Sequence, residues 1–174
     1  MKKLTILVLT AILLFSACAN KKVYRPSHFP ESKSADSYSY AIPFEERSNT
    51  MYVRVRLNDG PQFQGIWGSG CSLPLKISKL EANSLVKDGT LSQSDYRASL
   101  PVKVANGQTN NYAVYMLKSI SFMDDKGVEH TLTNIPAVID DNVGTDILIG
   151  LPVMQALGSS HEVSQFEHSI FIKE

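Results

Sequence analysis

The chain predicts an all-β domain carrying one or two short helices. Val53, Val55 and Leu57 alternate with Arg54 and Arg56, the period of two that marks a half-buried strand. Turn chemistry recurs between apolar runs, at Asn58-Asp59-Gly60-Pro61, Asn106-Gly107 and Asp124-Asp125-Lys126-Gly127. Helical spacing is confined to two brief stretches.

The elements follow in order. Tyr38, Tyr40, Ile42 and Phe44 alternate with polar or small residues and suit a first edge strand. A strand holding Val53 to Leu57 turns at Asn58–Pro61 and returns as Phe63 to Trp67, ending at Gly68-Ser69-Gly70. Leu75 to Lys87 places Ile77, Leu80, Leu85 and Val86 among charges, the pattern of a short amphipathic helix that stops near Gly89. Leu100 to Val104 and Tyr112 to Leu117 flank Ala105-Asn106-Gly107-Gln108, a hairpin, since Asn-Gly accepts the left-handed backbone such a turn needs. Ile120 to Phe122 and Val128 to Leu132 make a second hairpin about Asp124–Gly127. Ile135 to Ile139 is a strand and Ile147-Leu148-Ile149-Gly150 a buried apolar run. Pro152 to Leu157 opens a helix with proline in its first turn, and Ser169 to Ile172 closes the chain.

Three segments organise the chain. Residues 1–18 combine Lys2 and Lys3, an apolar run from Leu4 to Phe15 that is short for a membrane span, and small residues before Cys18. This resembles a bacterial lipoprotein signal, which implies lipidation at Cys18 and anchoring in the bacterial envelope, on the periplasmic or the cell-surface side. An ordinary secretory signal ending near a cysteine is the plainer alternative. Residues 19–48 interleave charge, proline and serine as a flexible tether would. Residues 49–174 are the domain. Taking Lys2 and Lys3 from 17 basic residues leaves 15 against 17 acidic, so no basic field exists to hold nucleic acid. With Cys18 lipidated, Cys71 stands alone in an oxidising compartment and no internal disulfide framework is possible.

The order of these parts resembles the retropepsin-like aspartic proteases over roughly residues 51 to 172. The strand leading into Gly68-Ser69-Gly70-Cys71-Ser72 is similar to the family's active-site loop. Val104-Ala105-Asn106-Gly107 is similar to its flap, and Ile147-Leu148-Ile149-Gly150 to the apolar element that supports the loop. The resemblance implies an acid-protease barrel, a homodimer giving one loop per subunit, and an extended polypeptide held between loop and flap by Ala105, Asn106 and Gly107. It also implies a catalytic aspartate at position 68, followed by Ser69 and Gly70, and here that position is Gly68. Paired carboxylates share one proton and activate water between them. Without them a dimer of this chain is close to inert as an aspartic protease, and no cofactor is implied.

No other residue type takes over. Gly68-Ser69-Gly70 lacks the G-x-S-x-G spacing of a nucleophile elbow, and Cys71 has no histidine beside it in the sequence. Asp140, Asp141 and Asp146 suit turns and strand ends before the Ile147 run. His28, His130, His161 and His168 lack metal-ligand spacing and suit solvated or hydrogen-bonded surface positions. The readings left open are a tethered pseudoprotease with a dimeric peptide cleft, an active envelope endopeptidase in which Gly68 is a variant or engineered change, and a non-catalytic structural lipoprotein.

Overall fold

The computed structural model describes residues 38–103, 106–142 and 146–174. Cys18, the expected signal segment and the expected tether up to residue 37 lie outside the described residues, as do Val104 and Ala105. The elements run β1 (Tyr40–Arg47), β2 (Thr50–Leu57), β3 (Gln62–Trp67), β4 (Leu75–Ser78), α1 (Lys79–Lys87), a single 3-10 turn (Gln93–Asp95), β5 (Tyr96–Lys103), β6 (Thr109–Met123), β7 (Glu129–Asp140), β8 (Ile147–Ile149), α2 (Leu151–Leu157), β9 (Ser160–Ser164) and β10 (Ser169–Lys173).

The strands join in the order β5-β6-β7-β4-β8-β3-β2-β1-β10-β9, and a further pairing of β6 with β2 closes six of them into a barrel. Closure runs through Val55 opposite Phe122 and Leu57 opposite Ile120. These side chains, with Leu75, Ile77, Leu117, Ile147 and Ile149, are fully buried. Each such side chain taken from water contributes about 1.5–3 kcal/mol, so the barrel interior is the main source of stability.

Turn residues set the register. Arg47 pairs with Thr50 across Ser48-Asn49, and both turn residues have positive φ, the two-residue geometry that matches strand twist. Asn58 and Asp59 are likewise left-handed, a region asparagine and aspartate tolerate better than most residues. Asn58 is buried. Its Oδ1 accepts the Lys118 and Ser119 N–H groups at 2.7 and 3.2 Å, and its Nδ2 donates to Thr90 O at 2.9 Å.

Several expectations need correction. The alternating segment about Tyr40 is no edge strand and no part of a tether. β1 lies between β2 and β10, with Tyr40, Ala41, Ile42 and Phe44 buried, so the folded body begins well before residue 49. The predicted helix over 75–87 begins only at Lys79, because Leu75 and Ile77 face the barrel core as a strand and Ser78 starts the helix. Ser78 Oγ accepts the Leu80 N–H, and Glu81 accepts the Ser78 N–H at 2.8 Å. The runs at 112–117 and 120–122 are one long strand, β6, which serves β5 at its first half and β2 at its second. The runs at 128–132 and 135–139 are likewise one strand, β7. β9 carries a single strongly apolar residue, Val163, and had no alternation to announce it.

Candidate functional site

β3 runs into the loop at Gly68, and β4 leaves it at Leu75. β8 slots between the two, parallel to β3, with Trp67 opposite Ile149, and antiparallel to β4, with Leu75 opposite Ile149. Main-chain bonds then fix the loop. Gly68 N donates to Ile149 O, Cys71 N to Gly68 O and Leu151 N to Cys71 O, each at 2.9 Å, and Gly150 N donates to Pro74 O at 3.0 Å. The loop crosses so close to Gly150 that a Cβ there would stand 1.7 Å from Leu73 O. Glycine is required at 150 by this approach.

Position 68 differs. Its φ lies outside the left-handed region, so the backbone does not require glycine. The space beside its Cα is taken by a neighbour, since a Cβ there would meet Leu148 Cδ1 at 2.5 Å. An apolar methyl therefore occupies the place from which a side chain at 68 would project. Ser69 and Gly70 are exposed at the tip.

A cleft of about 600 Å³ opens beside the loop. Gly68, Gly70 and Cys71 line one side, Leu148 and Val138 the floor, and Val102, Lys103 and Tyr112 of the β5–β6 hairpin the other. The hairpin predicted as a flap thus shares a cleft with the loop. Its wall comes from the hairpin's shoulders, and the tip residues Asn106 and Gly107 are not in the lining. They shape the turn instead: Asn106 Oδ1 accepts the Gln108 N–H at 2.9 Å, and Gly107 has positive φ.

Of the three charged residues in the lining, Lys76 and Lys103 went unnoticed in the sequence, and Asp140 was read only as a turn or strand-end residue. Lys76 Nζ meets Asp140 Oδ2 at 3.1 Å, with both side chains mostly covered. Asp140 Oδ1 also accepts the Asn142 N–H at 3.0 Å, so this carboxylate is an acceptor in an ion pair rather than half of a proton-sharing dyad. Asp141 pairs with Lys79 at 3.6 Å on the surface, and Asp146 accepts the Tyr52 hydroxyl at 3.1 Å. Cys71 Sγ contacts Leu73 O at 3.7 Å.

One histidine departs from the expectation: His161 Nε2 is buried without a hydrogen-bond partner among the described residues. His130 is hydrogen-bonded and largely covered. Its ring stacks on Tyr40 with centroids 3.6 Å apart, and its Nε2 lies 3.1 Å from Asp124 Oδ2. Asp124 is buried, and that desolvation alone would raise its carboxyl. The bonds from His130 and from the Val128 and Lys126 N–H groups outweigh it and hold the carboxyl below the ordinary value. Burial, then Glu174 and Asp124, push the Tyr40 hydroxyl up to about 12. His161 packs edge-on to Trp67, and His168 lies against Phe44.

No protein-family model and no curated protein matches the chain. Among solved structures it is similar to the crystal structure of a retropepsin-like aspartic protease from Rickettsia conorii, with 16% identity, 75% of this chain and 87% of that chain covered, and a TM-score of 0.53. The likeness is one of fold. The described residues form an all-β, retropepsin-like barrel with two short helices.

Proposed function

We propose that this is a membrane-tethered, retropepsin-like protein that does not hydrolyse peptides and uses the cleft beside the site loop to hold an extended polypeptide. One observation carries the reading: at position 68 there is no carboxylate, and Leu148 fills the space a side chain there would use. Aspartic catalysis needs two acids sharing a proton, and this loop offers none to a homodimer. The tether is lipid-anchored through Cys18 in this proposal, and the mass of the mature N-terminus tests that part.

A second reading has its own support. The φ at 68 lies outside the left-handed region, the obstacle to a side chain is the end of the Leu148 side chain, and Ser69 and Gly70 keep their places at the tip. A working endopeptidase with Asp at 68 in its parent form is consistent with that frame. Replacing Gly68→Asp decides between the two. In both readings the unaltered protein cleaves no extended apolar peptide from acid to neutral pH; acid-favoured cleavage by a dimeric Gly68→Asp form favours the second, and a stable, dimeric but inactive form favours the first. Cleavage by the purified Gly68 form would overturn both. Sedimentation of the same samples tests the pairing of subunits.

A further inference from the structure

We propose that the cleft selects a polypeptide bearing an acidic side chain next to an apolar one, the acid being read by Lys76 and Lys103 and the apolar group by Leu148 and Val138. This rests on the reading that the cleft binds polypeptide, and adds the chemistry of what it binds.

The argument is one of charge balance. The charged residues in the lining are Lys76, Lys103 and Asp140. Asp140 is already engaged at both oxygens, by Lys76 Nζ and by the Asn142 N–H. An ammonium carries three donors, and among the described residues Lys76 uses one of them, on Asp140. Lys103 has no ion-pair partner among the described residues. The cleft therefore holds one uncompensated positive charge, and with glycine at 68 no carboxylate on the loop offsets it. A basic ligand meets two ammonium groups and an acid that is not available. An acidic ligand restores neutrality between the mostly covered Lys76 and the exposed Lys103, and the contact to Lys76 exceeds the worth of one on open surface. The position beside Gly68, Leu148 and Val138 is apolar, which fixes the second half of the preference.

Anisotropy of three fluorescent extended peptides on the full chain tests this, the three being identical but for a central Glu, Gln or Lys within apolar neighbours. The Glu peptide should bind about tenfold tighter than the Gln peptide, the Lys peptide weakest, and the gap should shrink with salt. Lys103→Glu lies on an exposed stretch of β5, so the fold should survive, as a melting curve would confirm. That variant should lose the preference for Glu and favour the Lys peptide. Equal binding of all three peptides would overturn the charge proposal and leave polypeptide binding standing. Binding of none would overturn both. An unchanged Glu preference in Lys103→Glu would also overturn the proposal.

Discussion

Two turns of this molecule differ in how far a side chain helps to hold them. The loop from Gly68 to Pro74 is fixed by four main-chain hydrogen bonds to itself, β8 and α2. The turn after β6 has main-chain bonds of its own, Asp124 N to Val128 O, Asp125 N to Ala41 O and Gly127 N to Asp124 O, and adds a buried carboxylate: Asp124 Oδ1 accepts the Lys126 and Val128 N–H groups at 2.9 and 2.7 Å, and Oδ2 meets His130. A loop held by backbone alone keeps its path whatever side chain stands in it. A turn that also leans on a side chain does not, and the difference explains how the loop stands framed around a residue with no side chain.

The comparison breaks most severely at Gly150. Gly150→Ala sets a Cβ against Leu73 O, a main-chain atom that cannot rotate away. It should cost about 4 kcal/mol or more, in the range reserved for core overpacking and backbone conflict, and is expected to give little folded protein in a thermal melt. A near-normal melting temperature would show that the loop is not held as described.

Next comes Asp124→Ala, which leaves two N–H groups and His130 without their acceptor. A loss of about 3 kcal/mol is expected in denaturant titration. The same carboxylate sharpens the contrast through pH. Its folded value lies below the unfolded one, so the stability it provides is present above about pH 4 and is lost as the pH falls through the depressed folded value. Asp124→Asn should flatten that acid limb of the stability curve, measured by unfolding midpoints in a pH series. An acid limb of unchanged slope would remove Asp124 from the account.

The smallest effect belongs to Gly68→Ala. Its φ is ordinary and its obstacle is the free end of Leu148, so a rotamer change of about 0.5–1.5 kcal/mol is offset by the stiffer unfolded chain. The melting temperature should hardly move. A loss as large as that of Gly150→Ala would mean the glycine at 68 is structural after all.

Much of this frame was legible in the sequence because its signals are local. Alternation in β2, the Asn58-Asp59 and Asp124–Gly127 turns, and the apolar run before Gly150 each announce themselves within a few residues. β4 was hidden because Ile77 and Leu80 share helical spacing across a strand-to-helix junction. Only the Ser78–Glu81 capping pair marks where one becomes the other. β1 was misplaced because its partner β10 is at the far end of the chain, and Pro43, Glu45 and Glu46 have the look of an edge. The site divides the same way. Gly68, Ser69 and Gly70 are contiguous and could be read. Lys76 and Asp140 are 64 residues apart and meet only because β4 lies beside β7.

The interior place of β1 has a mechanical consequence. Its inter-strand bonds, to β2 on one side and β10 on the other, stand across the strand axis. A pull along that axis, applied through the chain ahead of Tyr38, shears the β10 row along Tyr40–Pro43 and the β2 row along Phe44–Arg47, which follow one another along the strand. Shear of this kind is resisted by the full length of β1. A load arriving from the N-terminal side is therefore met there before it deforms the strands that enclose the cleft.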